Sequence, residues 1–278
     1  SLIGPEDTYH RAAFSPDGRR LLAVSRGGTI RMWDLALPSP RPGGENTAAD
    51  SKRLVFSSME FSRDRSSAVL SAGTGTGVAR VWRSGDPLLG IDLPQPDKVS
   101  FPNVGPTGLS PDGGRVTTFY VGQMLQIWDV DKRTPLPALL NQGNGVSAQA
   151  IDPTGKMLAS GDYGRNVRLW SLETGAGLGS PLKQSDIVYS LRFSPDGRFL
   201  AVSTTKDWNR VYGVRLWDVA SRRQIGELIE TGGASPARMF FNPEGTQLLT
   251  VASDGVRRWD TTTGSEIAPH LPHAGGAN

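Results

Sequence analysis

The sequence predicts an all-β protein assembled from repeated four-stranded antiparallel units, and three observations carry that prediction. A turn signature recurs as FSPDG at Phe14–Gly18, FSRDR at Phe61–Arg65, LSPDG at Leu109–Gly113, IDPTG at Ile151–Gly155, FSPDG at Phe193–Gly197 and FNPEG at Phe241–Gly245. Each turn is followed by a second anchor: Trp33-Asp34, Trp82-Arg83, Trp128-Asp129, Trp170-Ser171, Trp217-Asp218 and Trp259-Asp260, with successive Trp 42 to 49 residues apart. No window of the chain carries the apolar periodicity of an amphipathic helix.

The clearest unit runs from Ile187 to Val219. Apolar and polar residues alternate from Ile187 to Phe193, as in a strand with one buried face. Ser194-Pro195-Asp196-Gly197 supplies a turn, because Pro fixes φ at about −65° at the second position and Gly accepts positive φ at the fourth. Phe199 to Ser203 completes a hairpin, Gly213 to Trp217 adds a third strand ending in Trp-Asp, and Gln224 to Ile229 adds a fourth.

Two anchors in fixed order, at the period of four-stranded propeller blades, make the chain resemble the WD-repeat β-propeller family over nearly all its length. The resemblance implies a β-propeller of four-stranded antiparallel blades in a single domain, 1–278, with six blades visible at approximately 8–54, 55–98, 99–141, 142–184, 185–231 and 232–272. The alternative is seven blades with one missing or cryptic. One twisted sheet cannot bury both its faces alone, so blades stack and large side chains fill the wedge between neighbours. Six of the seven Trp are expected there, and Trp208 is out of phase. Family repeats often carry Gly-His before the inner strand and an Asp after the second, which join a Ser or Thr and the Trp in a hydrogen-bond set. Here Gly-His is absent from every unit, and the turn Asp stands at Asp162 and Asp254, with Asp207 as a third candidate. The expectation is that packing, more than these networks, holds the blades.

Taken in order, the first blade uses His10 to Phe14, Arg20 to Ser25 and Thr29 to Trp33; Leu35 to Arg53, with Pro38, Pro40, Pro42, Gly43 and Gly44, is expected to be a mobile surface loop with at best a short outer strand. The second uses Val55 to Phe61, Ser67 to Ser71, Val78 to Trp82 and Leu88 to Leu93, around the Gly73-Thr74-Gly75-Thr76-Gly77 turn. The third uses Val104 to Leu109, Val116 to Val121, Leu125 to Trp128 and Leu136 to Leu140, and the fourth Val146 to Ile151, Lys156 to Ser160, Val167 to Trp170 and Gly177 to Leu182. The sixth uses Ala237 to Phe241, Leu248 to Ala252, Val256 to Trp259 and Glu266 to Leu271.

Composition narrows the chemistry. Lys plus Arg number 30 against 27 Asp plus Glu, a net charge of +3, so the basic pI reflects a small excess and nucleic acid is disfavoured as a partner. The absence of Cys excludes disulfides, thiolate metal sites and cysteine nucleophiles. No apolar run approaches the roughly 20 residues that span a bilayer. The chain opens at Ser1 with no Met and no signal-type leader, and is read as a piece of a larger protein, for which the cytoplasm is the favoured compartment. Its Arg-, Gly- and Pro-rich repeats look like a bacterial WD-repeat segment. Similar segments often follow a signalling module such as a protein kinase or nucleotide-switch ATPase, which is implied by the resemblance alone.

A catalytic set is sought and not found. A nucleophile needs a histidine beside it, yet His10, His270 and His273 are the three present, two of them in the C-terminal tail. Gly143 to Ala148 matches the dinucleotide pattern G-x-G-x-x-A but leads into a strand, not a helix, and reads as a turn between blades. Asp129 to Asp131 begins like a calcium loop without the later ligands. No cofactor, metal or catalytic residue is expected, and the chain is not expected to be an enzyme. The rivals are a ligand- or metal-binding propeller enzyme using the central channel, with scattered candidates such as Asp186, and an anionic-ligand or nucleic-acid binder using Arg26, Arg165, Arg210 and Arg238.

Recognition in such a fold belongs to loops carried on a rigid frame. The longest turn between second and third strands is Thr205 to Tyr212, which holds Asp207, Trp208, Arg210 and Tyr212. Tyr163 and Arg165 stand at the equivalent turn of the fourth blade, Tyr189 lies at the entry to the fifth, Tyr120 and Gln123 come from the third, and Arg26 from the first. Trp, Tyr and Arg are the residues enriched at binding hot spots. The expected function is therefore a non-enzymatic protein-interaction or scaffold propeller, the docking or sensing part of a larger protein, with a protein partner on this face.

Overall fold

The computed structural model describes residues 9–14, 18–25, 29–35, 42–47, 55–61, 67–73, 79–83, 86–93, 108–119, 123–207, 210–230, 238–252, 255–268 and 271–272. Among them every regular element is a β-strand, and the strands form six four-stranded antiparallel sheets in which consecutive strands are neighbours. The chain divides into two compact units, Ser1–Asn141 and Gln142–Asn278.

In the first unit, the first sheet comprises β1 (Tyr9–Phe14), β2 (Arg20–Ser25), β3 (Thr29–Asp34) and β4 (Pro42–Thr47). The second comprises β5 (Val55–Phe61), β6 (Ser67–Gly73), β7 (Ala79–Arg83) and β8 (Asp86–Leu93), and the third β9 (Gly108–Leu109), β10 (Arg115–Phe119), β11 (Met124–Asp129) and β12 (Thr134–Asn141). In the second unit, the fourth sheet comprises β13 (Val146–Ile151), β14 (Met157–Asp162), β15 (Asn166–Ser171) and β16 (Leu182–Lys183). The fifth comprises β17 (Ile187–Phe193), β18 (Phe199–Asp207), β19 (Arg210–Asp218) and β20 (Arg223–Ile229), and the sixth β21 (Arg238–Phe241), β22 (Gln247–Ala252), β23 (Gly255–Asp260) and β24 (Leu271–Pro272).

The turn signature does what its residues predict. The N–H of Gly113 donates to the Ser110 carbonyl at 2.8 Å, Gly155 to Asp152 at 3.0 Å, Gly197 to Ser194 at 2.9 Å and Gly245 to Asn242 at 3.0 Å. These glycines sit at φ +70° to +74°, where a Cβ would be strained. Side chains at the first turn position finish the job: Ser194 Oγ donates to Asp196 Oδ1 at 2.5 Å and accepts the Phe199 N–H at 2.9 Å. In the IDPTG turn Asp152 takes over, accepting the Lys156 and Met157 N–H groups at 2.8 and 2.6 Å.

The Trp-Asp anchor is a second local device. Asp129 accepts the Lys132 N–H, Asp218 both the N–H and the hydroxyl of Ser221, and Asp260 the N–H groups of Thr262 and Thr263, so each carboxylate closes the turn into the fourth strand. Burial pushes the Asp129 carboxyl upward, but the Lys132 N–H and the charges of Arg115 and Lys132 outweigh it and leave it below the usual value. Asp218 is held low by the N–H and hydroxyl of Ser221 and then by Arg198, and Asp260 by the N–H groups of Thr263 and Thr262. The Asp129 to Asp131 stretch is thus turn chemistry. Trp33, Trp128, Trp170 and Trp217 are buried as the repeat phase predicts.

Within the second unit the fourth and fifth sheets share a core of Ala159, Val167, Leu169 and Leu182 against Val188, Leu191, Phe193, Leu200, Val202 and Trp217. Gly161 lies so close to Val188 that a Cβ built on it would stand 2.3 Å from Val188 Cγ1. The fifth and sixth sheets share Phe199, Ala201, Val214, Leu216 and Ile229 against Met239 and Leu248.

Residues 42–47 form the short outer strand that the loop-like Leu35–Arg53 segment allowed at best, with Thr29 paired to Thr47 and Trp33 to Pro42, and two other expectations are corrected. An edge strand bonds on one side only and is where proline is tolerated in a sheet, and the register shifts between Arg31 and Trp33, opposite the Gly43-Gly44 stretch. The fourth strands of the fourth and sixth sheets are the reverse case: β16 and β24 are two residues each, and the preceding segments touch their sheets through the single bridges Trp170–Gly177 and Trp259–Glu266. Thr205 to Tyr212 is not a long turn, because β18 and β19 run on to Asp207 and Arg210, which pair with one another. Residues 104–107, part of the predicted inner strand of the third blade, lie outside the described residues.

Candidate partner-docking edge

The fourth sheet is braced by a buried polar chain. Trp170 Nε1 donates to Ser160 Oγ at 2.7 Å, Ser160 Oγ donates to Gln142 Oε1 at 2.5 Å, and Gln142 Nε2 donates to Asp162 Oδ2 at 3.2 Å. Asp162 Oδ1 in turn accepts the Asn166 N–H at 2.8 Å, so the carboxylate also fixes the turn between β14 and β15. Gln142, Ser160 and Asp162 are fully buried. In this sheet such a network is present, with Gln142, whose flat amide carries donors and an acceptor, in the place of the absent His.

Register explains where the brace recurs. Trp128, Trp170 and Trp259 pair with Val116, Leu158 and Leu248, and two residues further on stand the hydroxyls Thr118, Ser160 and Thr250, each accepting its Trp N–H at 2.7 to 3.1 Å. In the fifth sheet Trp217 pairs with Leu200, and the matching position is Val202. Trp217 Nε1 has no hydrogen-bond partner there, and neither does Gln184 Oε1, four residues before Val188 as Gln142 is four before Val146.

On this brace sits an exposed edge made of three segments. The Tyr163 N–H donates to the Gly145 carbonyl at 3.0 Å, and the Gln184 N–H to the Arg165 carbonyl at 2.9 Å, tying the link 142–145, the turn 163–165 and the link 183–186 together. A Cβ on Gly164 would meet Asn144 Nδ2 at 2.2 Å, so the Asn144 side chain lies over this glycine of the turn. Tyr163 is 46% exposed, and Arg165 is exposed with φ +66°. Lys183 Nζ donates to Asn166 Oδ1 at 2.8 Å, Arg168 Nε to the Gln142 carbonyl at 3.1 Å, and Arg215 Nη1 to Ser185 Oγ at 3.0 Å, whose hydroxyl donates to Asp186 at 2.8 Å.

Of the residues predicted for recognition, Tyr163 and Arg165 share one turn, and Tyr189 lies half-buried in β17 next to Val188, which packs on Gly161. Asp207, Arg210 and Tyr212 belong to the ends of β18 and β19, with their backbones alone described. Trp208, Tyr120, Arg26 and Asp254 lie outside the described residues. Gly143 and Asn144 are exposed and lead into β13, the turn between sheets that the G-x-G-x-x-A match was read as. Sequence reasoning missed Gln142, Ser160, Asn166, Lys183 and Arg215; the signal available was Gln142 and Gln184 recurring four residues before an inner-strand Val. Among the described residues no group of His, Asp or Glu is arranged to hold a metal, and no helix is long and apolar enough to cross a membrane.

Comparison with known proteins agrees with this architecture. The family model described as WD domain, G-beta repeat matches residues 2–34, 135–171 and 179–210. The curated relative Striatin-4 of Homo sapiens is 27% identical over 165 residues, covering 58% of this chain. The match spans 21% of that relative's own length.

Proposed function

We propose, from the match of residues 2–34, 135–171 and 179–210 to the WD-repeat family model, that the chain is a non-enzymatic protein-docking scaffold, a single WD-repeat propeller domain over 1–278 that serves as the docking or sensing part of a larger bacterial protein. The observation that carries this reading is the contrast within one turn: Asp162 is fully buried and spent on the brace, while its neighbours Tyr163 and Arg165 are exposed. A rigid support under exposed aromatic and guanidinium groups is the arrangement of a binding hot spot, where little conformational entropy is lost on association. We assign the partner face to Tyr163, Arg165 and Tyr189 of the second unit, with Asp207, Trp208, Arg210 and Tyr212 as the sequence-derived candidates of the same unit.

The test is affinity capture with the whole chain, comparing it with Tyr163→Ala/Arg165→Ala and Trp208→Ala/Arg210→Ala. The expected outcome is a protein retained by the parent chain and lost by both variants, whose melting temperatures stay close to the parent's. Retention by both variants, or a large drop in their stability, refutes the assignment.

A further inference from the structure

We infer that the edge formed by the turn 163–165 and the link 183–186 takes an acidic peptide segment, with its carboxylates on Arg165, Lys183 and Arg215 and an apolar side chain on Tyr163. The inference rests on the docking reading above and names the chemistry of its partner. Four cations meet at this edge, Arg165, Arg168, Lys183 and Arg215, and their described contacts are to carbonyl, amide or hydroxyl oxygens, not to carboxylates. Among the described residues, the carboxylates of the same segments are Asp186, which accepts from Ser185 Oγ, and Asp162, which is buried and engaged by Gln142 and Asn166. The opposite edge of the same unit is unlike it. There the turns carry Asp152, Glu173, Asp196, Asp218, Glu244 and Asp260, and Arg198 Nε lies 3.6 Å from Asp218 Oδ2.

Arg165 is the informative residue. At φ +66° a non-glycine side chain costs backbone free energy that glycine would avoid. Its N–H donates to the Asp162 carbonyl at 3.4 Å and its carbonyl accepts from Gln184, tasks that any residue performs. Its guanidinium makes no hydrogen bond or ion pair among the described residues. Arg133 and Arg222 have similar conformations, φ +55° and +56°, in the turns before β12 and β20, and the Arg222 guanidinium lies against Gly179, in the space a Cβ would fill. What sets Arg165 apart is the exposed tyrosine in its own turn and the other cations of this edge, which point to a ligand that a planar fork binds, and carboxylate fits that fork. A single nucleic-acid strand would call for a row of stacking aromatics and a longer cation track, and Tyr163 is the one large aromatic exposed at this edge among the described residues.

The test is fluorescence anisotropy on the full chain with four labelled probes: a Glu-rich peptide with a central Phe, its Gln and Lys counterparts, and an oligothymidine strand. The Glu peptide is expected to bind about ten-fold tighter than the Gln peptide, the size of one charge-assisted contact, and to weaken with salt. Arg165→Gly is expected to remove about that ten-fold preference while the melting temperature holds or rises, and Lys183→Gln to weaken binding further. Equal binding of Glu and Gln peptides, or Arg165→Gly without effect, overturns the acidic partner. If the Gln or Lys peptide binds and Tyr163→Ala abolishes it, the docking edge stands and its acidic preference falls. Tighter binding of oligothymidine overturns the inference in favour of nucleic acid, and no binding by any peptide overturns it together with the edge.

Discussion

Replacing Ser160 with Val would give the fourth sheet the residue that Val202 gives the fifth, and would break its brace at the middle. Ser160 Oγ is held at 2.7 Å by Trp170 Nε1 and at 2.5 Å by Gln142 Oε1, so the substitution leaves a donor and an acceptor buried without partners. Each such orphan costs about 1–3 kcal/mol, partly offset by the added methyl burial of about 1 kcal/mol, for an expected loss of about 3 kcal/mol. That is a large share of a typical stability of about 5–15 kcal/mol. The converse change, Val202→Thr, puts a hydroxyl beside Trp217 Nε1, which has no partner. Burying a hydroxyl in place of a methyl ordinarily destabilises; here the expectation is a change of sign, a gain of about 0.5–1 kcal/mol from one satisfied N–H. The assay is urea unfolding followed by Trp fluorescence, with Trp170→Phe added to Ser160→Val to close a double-mutant cycle. The reasoning is refuted if Val202→Thr costs as much as Ser160→Val, or if Trp170→Phe is additive with Ser160→Val.

Two further outcomes follow from the same geometry. Gly161→Ala drives a methyl to 2.3 Å from Val188 Cγ1 and is expected to lower stability by about 1–3 kcal/mol; thermal melts of Gly161→Ala with and without Val188→Ala should show part of the loss recovered in the pair. Asp218, held below its ordinary value of 3.8 by Ser221 and Arg198, contributes stability that is present above that value and lost as pH falls through its lower folded-state value. Asp218→Asn should therefore be less stable than the parent near neutrality by about 0.5–1 kcal/mol, and the gap should close in acid melts below the ordinary carboxylate range; a gap unchanged from neutral to strongly acid pH refutes the assignment.

The sequence by itself determined everything that local chemistry controls. Pro-Asp-Gly and its variants set the first hairpin of each sheet, since φ preference is a property of the residues in the turn. Trp-Asp set the third strand and the turn after it, because the Asp bonds N–H groups two and three residues away. Alternation fixed the inner strands, and with these came the four-stranded repeat. Tertiary structure decided the outer strands, because an edge strand is held from one side and its own residues say little: Pro42–Thr47 pairs despite its glycines, while β16 and β24 shrink to two residues. It alone also decided the brace. Nothing in the local sequence says that Gln142 reaches Ser160 and Asp162, 18 and 20 residues away, or that Val202 leaves Trp217 without an acceptor. Side chains distant in sequence become partners when the sheet's register brings them face to face, and a buried polar atom is then stabilised or orphaned by one residue's identity.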